Sequence, residues 1–252
     1  MRPIPLLLLA VALTVGSAAW ADEHTAGHAW SYEGPTGPSH WAMLGEDNAT
    51  CGVGTHQSPI NIDTTHKEAL AAIEFNYTAA PLSIIDNGHT IQVNVPPGQF
   101  IQVHGQRYDL VQFHFHRPSE EQVHGRAYSM VAHLVHKNAR GELAVVAVLL
   151  REGKANAFLS TLWDHLPSNK GVETKVAGSM INVADLLPAQ RGYYNFDGSL
   201  TTPPCSEQVN WFVLKTPVEV SAAQIEVFAK RYSHNARPVQ PINDRTVLET
   251  AD

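Results

Sequence analysis

The chain of 252 residues has only two cysteines, Cys51 and Cys205. It has no internal repeat, no low-complexity block and no Pro-, Gly- or Ser-rich run that would mark a linker. Without a linker it reads as one domain, and its length is enough for a substantial single core. Positive charge is scarce: 17 Lys and Arg face 24 Asp and Glu, a net charge of −7 with histidine neutral. That balance disfavours nucleic acid and anionic membranes as partners, and plain solubility is its simplest meaning. Long apolar stretches are missing too. Leu6–Val15 is too short to span a bilayer, which takes about 20 residues.

That short run has company. Arg2 precedes it and Ala19-Trp20-Ala21 follows, so residues 1–21 read as a cleaved signal peptide with a positive start, an apolar middle and a small-x-small cleavage site. The mature domain is then residues 22–252, and loss of the signal removes Arg2 but no acid. Export sets the reading of the cysteines, because a lone pair in an oxidising compartment is expected to be bonded. Closing so long a loop contributes about 4 to 5 kcal/mol by chain entropy, before any strain. Neither cysteine lies near the cleavage site, so a lipid anchor there is not supported. The expected location is the periplasm, with secretion to the medium the alternative.

Histidine is plentiful, at 14 residues. In Gln112-Phe113-His114-Phe115-His116 polar and aromatic residues alternate with the period of a β-strand. His114 and His116 therefore share a face with Gln112, while both phenylalanines point into a core. Two imidazoles on one strand can grip a metal ion, but zinc needs at least a third protein ligand. Without one, His-x-His is merely a polar strand face. The third candidate comes from Met130–His136, where His133 and His136 fall on opposite faces of a strand, so at most one of them joins the pair. Three histidines with no fourth protein ligand describe an open, catalytic zinc site rather than a closed structural one.

The rest of the pattern is mainly β, an α+β chain with a few short helices. His28–Thr55 has no clear period and reads as an irregular cover over the core. A short helix is expected at Lys67–Ala72, and strands at Ile73–Tyr77, on both sides of the Asp86-Asn87-Gly88 turn within Leu82–Val95, and at Phe100–Val103. Further strands are expected at Tyr108–His116, Tyr128–His136, Leu143–Leu150 and Val209–Leu214. Ala155–Leu166 has helical spacing, and a second helix opens at Ser221 with Gln224 three residues on, a capping-box pattern. Arg237–Thr246, with Pro238 and Pro241, reads as an extended tail.

Five segments in order, Gln57–Ile62, Asn87-Gly88-His89, Gln112–His116, Ala132–His136 and Leu200-Thr201-Thr202-Pro203-Pro204-Cys205, closely resemble the α-class carbonic anhydrases of the exported bacterial type. The resemblance runs from about Trp30 to about Leu248. It implies a single domain on a large twisted, mixed β-sheet with short peripheral helices, and a metal site in a conical cleft. It implies one zinc ion per chain, held by His114, His116 and His133, with carbon dioxide and bicarbonate as substrate and product. Thr201 would accept the hydrogen bond of the zinc-bound hydroxide and pass its own proton to Glu120. Val135, Val145, Leu200, Val209 and Trp211 would form the apolar wall for carbon dioxide, with Thr202 beside them. Val145 and Val209 are equally read as ordinary core on composition alone. His89 would shuttle protons to solvent, suited to this by an ordinary pKa of about 6.5. Tyr32, Asn87 and Gln92 would hold the intervening waters. The resemblance also pairs Cys51 with Cys205 across the Thr201 loop and implies cis bonds at Ser58-Pro59 and Pro203-Pro204. A homodimer is compatible with it.

One departure from the family bears on the metal. Gln112, two residues before His114, can accept the proton of that ligand's outer nitrogen. The position two before His133 is normally glutamate, and here it is Val131. The third ligand is therefore expected to lack its usual partner, and to turn instead to water or a backbone oxygen, or to stay unpaired. On that ground a competing reading is a carbonic-anhydrase-like zinc-binding domain with weak or no hydration activity. Ester hydrolysis, by the same hydroxide, would be a side activity. Ala236 also replaces a common tryptophan, with no clear consequence for the chemistry.

Overall fold

The computed structural model describes residues 29–251. The expected signal peptide lies outside the described residues. Three short 3-10 turns and helix α1 (Thr50–Val53) form the irregular cover at the start. Strands β1 (Asn61–Ile62), β2 (His66–Glu68), β3 (Glu74–Asn76), β4 (Ala80–Asp86), β5 (Ile91–Asn94), β6 (Phe100–Val103) and β7 (Gln106–His116) follow. After these come β8 (Gln122–Val123), β9 (Arg126–Ala127), β10 (Met130–Lys137), β11 (Leu143–Glu152) and helix α2 (Ala157–Trp163). The chain continues through β12 (Thr174–Ile181), β13 (Tyr193–Ser199), β14 (Glu207–Leu214), β15 (Val218–Val220), α3 (Ala222–Ala229) and β16 (Leu248–Thr250).

Thirteen of these strands make one sheet, in the order β12-β4-β5-β7-β10-β11-β14-β13-β16-β2, with β6 and β3 continuing beside the first half of β7 and β15 beside the end of β11. The β11–β14, β11–β15 and β16–β2 pairs are parallel and the others antiparallel, so the sheet is mixed as expected. Its two faces carry different cores. Phe113, Phe115, Ala132, Leu134, Val146 and Val148 point to the side covered by α2 and α3, where they meet Phe158, Leu162 and Phe228. Val131, Val145, Ala147, Val209, Trp211 and Val213 point to the other side and form a second apolar cluster. Phe113 and Phe115 are fully buried, and burying each contributes about 1.5–3 kcal/mol. Replacing either by Ala would cost about 3–5 kcal/mol, cavity included.

Local signals fix the helices. The Asn156 side chain accepts the Leu159 N–H at the start of α2. The expected capping box opens α3, where Ser221 and Gln224 satisfy each other's backbone. Gln224 also donates to the Asn156 carbonyl at 2.7 Å, which ties the two helices together. The helix expected at Lys67–Ala72 does not form. His66–Glu68 is instead a strand whose three side chains are all exposed, paired in parallel with β16. With no residue of that stretch offering an apolar stripe to the core, sheet hydrogen bonds win over helix propensity. The two anticipated cis bonds are present, and Arg117-Pro118 is a third.

Candidate metal centre

The β7–β10 register sets His133 directly opposite His114, with His116 opposite Val131. Period-two alternation turns all three imidazoles to one face, and their ligand atoms lie within 4.8 Å of one another. Each ring has its outer nitrogen occupied. His114 Nδ1 donates to Gln112 Oε1 at 2.8 Å, and His116 Nδ1 donates to the Asn235 carbonyl at 2.7 Å. His133 uses the other nitrogen: its Nε2 donates to the Glu121 carboxylate at 3.1 Å. These bonds fix the tautomers. The lone pairs left over are Nε2 of His114, Nε2 of His116 and Nδ1 of His133. The buried His116 Nε2 has no hydrogen-bond partner, an arrangement that is costly unless something electrophilic fills it. A three-nitrogen donor set with one such orphaned lone pair fits zinc in its open, catalytic form. His136, as alternation requires, lies on the opposite face, against the Tyr77 hydroxyl at 2.6 Å.

The expectation for Val131 is overturned. His133 does not lack a partner: the Glu121 side chain, from the segment between β7 and β8, supplies the carboxylate. Val131 is fully buried in the apolar cluster on the metal face and accepts nothing.

Electrostatics keep two of the ligands neutral, as metal binding requires. Burial pulls the His114 pKa down to about 3, with His133 adding to the effect. Burial also holds His116 well below its ordinary value. For His133 burial pulls downward as well, but the facing Glu121 and Glu120 carboxylates outweigh it and leave the pKa raised.

Glu120 is buried beside the ligands, its Oε2 3.4 Å from His116 Nε2. Its Oε1 accepts the Arg237 backbone N–H at 2.7 Å. Burial pushes the Glu120 pKa up to about 7, opposed by His133, by that backbone bond and by the Thr201 hydroxyl, which hydrogen-bonds the carboxyl. Thr201 itself is buried. Its loop is closed by Leu200 N–H to the Ser206 carbonyl at 2.9 Å and Cys205 N–H to the Thr202 carbonyl at 2.8 Å. The Cys51–Cys205 disulfide is formed, joining residues 154 apart in sequence.

The remaining expected residues fall around the metal face. Across the sheet, Gln112, Val135, Val145 and Trp211 stand in one continuous register row. The Trp211 ring meets His133 edge-on at 4.9 Å, and its Nε1 donates to the Ser199 carbonyl. Val135 and Leu200 pack against the cluster that contains Val145, Val209 and Trp211. Thr202 is partly exposed beside them. Gln92 is the β5 partner of His114 and accepts from Asn87 at 3.1 Å. The Tyr32 ring lies 6.5 Å from that of His116, and burial, with Glu120 adding, holds its hydroxyl pKa well above normal. His89 sits in the β4–β5 turn, where Asn87 Oδ1 accepts its N–H and Trp30 stacks on its ring at 3.7 Å.

Four contributors escaped the sequence reading: Trp30, Glu121, Asn235 and Arg237. Asn235 serves both halves of the site, since its carbonyl holds His116 and its amide donates to the His89 carbonyl at 3.0 Å. None of the four lies in a periodic segment. The one available signal was the Glu120-Glu121 pair itself, two adjacent acids directly after a ligand-bearing strand.

Comparisons with known proteins agree with this geometry. The family model described as eukaryotic-type carbonic anhydrase matches residues 36–251. A carbonic anhydrase of Neisseria gonorrhoeae is 44% identical over 252 residues, covering 98% of each chain. One of Klebsiella pneumoniae is 47% identical over 223 residues, covering 87% of this chain and 90% of its own. The solved structure of the α-carbonic anhydrase of Thermovibrio ammonificans, in complex with sulfanilamide, superposes with a TM-score of 0.84 at 41% identity, covering 87% of this chain and 98% of its own. Similarity at this level along nearly the whole described chain leaves one conclusion, that it belongs to the eukaryotic-type, or α, carbonic anhydrase family.

Proposed function

We propose a division of labour among these residues for the reaction of the family, the reversible hydration of carbon dioxide to bicarbonate and a proton. The protein is a zinc enzyme with one metal site. The observation that carries this reading is the set of three imidazoles whose outer nitrogens are all occupied, leaving three lone pairs to converge. When bound, the zinc supplies a water acidified to a pKa of about 7, a value for which carbonic anhydrases are themselves the reference example, as the nucleophile toward carbon dioxide.

The protein's own groups aim and clear that reaction. Thr201 Oγ1 gives its proton to Glu120, which leaves only lone pairs on the hydroxyl to receive a hydrogen bond. It therefore selects a nucleophile that still carries a proton, and fixes its direction of attack. Glu120 can play this part because the Arg237 backbone N–H pins its other oxygen. Val135, Val145, Leu200, Val209 and Trp211 offer carbon dioxide an apolar surface, with Thr202 at its edge. Each turnover leaves one proton to export. His89 receives it through waters held by Tyr32, Asn87 and Gln92 and releases it at the rim, where stacking on Trp30 supports the ring. Residues 1–21 direct export and residues 22–252 form the enzyme. A periplasmic location fits both the disulfide and the signal pattern.

The test is stopped-flow carbon dioxide hydration with the zinc content measured on the same sample. Activity should scale with zinc up to one ion per chain, and fully zinc-loaded protein without hydration activity would refute the reading.

A further inference from the structure

We propose that Glu121 is the residue that positions His133 for the metal, and that in this chain the carboxylate serving the third ligand has moved from position 131 to position 121. The proposal rests on the zinc assignment above. Three observations carry it. Both Glu121 oxygens lie 3.1 Å from His133 Nε2, and Oε2 takes the hydrogen bond. Glu121 is fully buried, and its Oε1 makes no hydrogen bond at all. Val131, on the same strand face as His133, lies in register between His116 on β7 and Leu149 on β11, sealed in apolar packing.

A buried carboxylate with an unsatisfied oxygen is a poor device for stability alone. It makes sense as a partner for an imidazole that must present its opposite nitrogen to a cation. Of the three outer partners, Glu121 is the only carboxyl group, the others being the amide oxygen of Gln112 and the backbone carbonyl of Asn235. A carboxylate accepting the ring proton makes the imidazole a stronger donor and holds its plane. Because only one proton is available on Nε2, only one carboxylate can be used. Positions 121 and 131 are thus alternatives: a glutamate at both would leave one of them buried and unpaired.

The experiment compares the zinc-loaded full-length mature chain with E121Q, V131E and the exchange variant E121V/V131E. Zinc release to a chelator and the melting temperature of the zinc-free form are measured for each. E121Q should release zinc about 10- to 100-fold faster, while its zinc-free form melts no lower than the parent's. V131E alone should gain no zinc retention and should melt lower. The exchange variant should recover much of the retention lost in E121Q. Faster release with an unharmed zinc-free fold separates a positioning role from a merely structural one. Overturning results are an E121Q release rate equal to the parent's, a V131E protein that holds zinc longer than the parent, or an E121Q effect confined to zinc-free stability. If E121Q does not fold, the parent decides by NMR. A downfield, slowly exchanging His133 Nε2 proton supports the proposal, and one exchanging like free imidazole overturns it. Failure of the parent to bind one zinc would instead refute the zinc assignment and is recognisable as such.

Discussion

Removing the disulfide should cost stability far more than it costs chemistry. Cys51 and Cys205 are 154 residues apart, and closing a loop of that length restricts the unfolded chain by about 5 kcal/mol in the chain-entropy model, against about 2–4 kcal/mol in typical measurements. For a domain of this size each kcal/mol moves the melting temperature by about 2–4 °C. Cys51→Ala/Cys205→Ala should therefore melt about 5 to 20 °C below the parent. The Thr201 loop, however, has other anchors. Gln57 Nε2 donates to the Cys205 carbonyl at 3.0 Å and to Glu207 at 2.9 Å, and Glu207 also accepts the His56 N–H at 2.7 Å. Activity per folded molecule at 25 °C should accordingly fall only a few-fold, with zinc retained. Calorimetry, together with stopped-flow hydration well below the transition, tests both halves. A melting shift under about 3 °C would sink the entropic argument, and abolished activity in a folded, zinc-loaded variant would show that the loop depends on the disulfide alone.

Thr201→Ala should keep its zinc but lose about 100-fold in hydration, because the nucleophile is no longer aimed; equal rates in variant and parent would remove Thr201 from the mechanism. His89→Ala should turn over slowly in weak buffer and recover partly when imidazole is added, whereas indifference to imidazole would exclude His89 as the shuttle. Burial lowers the His136 pKa to about 4, weakly opposed by the Leu134 and Ala144 carbonyls. Unfolded, the same group titrates near its ordinary value of about 6.5. Since the folded value is depressed, the stability linked to keeping His136 neutral is fully present above about pH 6.5. It falls by about 3 kcal/mol as the pH drops to about 4. His136→Gln, which can still bond the Tyr77 hydroxyl, should flatten the fall of urea midpoints with acidity between those pH values; parallel curves for the two proteins would contradict this.

How much of this was legible beforehand depended on whether a segment buries one face. Gln112–His116 alternates cleanly because one side enters the core and the other faces the metal, so the ligand pair could be read directly. Ser221 and Gln224 announced α3 because a capping box is a purely local device. By contrast β12 is an edge strand with most of its side chains exposed, so no period marks it, and it was not anticipated. The expected helix at Lys67–Ala72 failed for a related reason, since all three side chains of β2 are exposed and no period of burial marks it. The partner of His133 was the deepest miss. Strand alternation points two residues upstream, whereas the carboxylate arrives from an irregular segment twelve positions earlier. Groups delivered by irregular backbone, whether side chain or main chain, leave no trace in periodicity, and Glu121, Asn235 and Arg237 all belong to that class.

The position of Asn235 carries a consequence for the order in which the molecule comes together. His116 belongs to the first ligand-bearing strand, yet the carbonyl that orients it stands 119 residues downstream. The same residue's amide grips the backbone of His89 and Phe115, and its side-chain oxygen receives the Arg117 N–H. Until nearly the whole polypeptide has been synthesised and the segment after α3 has docked, two of the three histidines share a strand but one has no fixed tautomer. The preorganised form of His116 is thereby tied to docking of that segment. A growing or truncated polypeptide that ends before residue 235 presents the His-x-His pair without the carbonyl that readies His116.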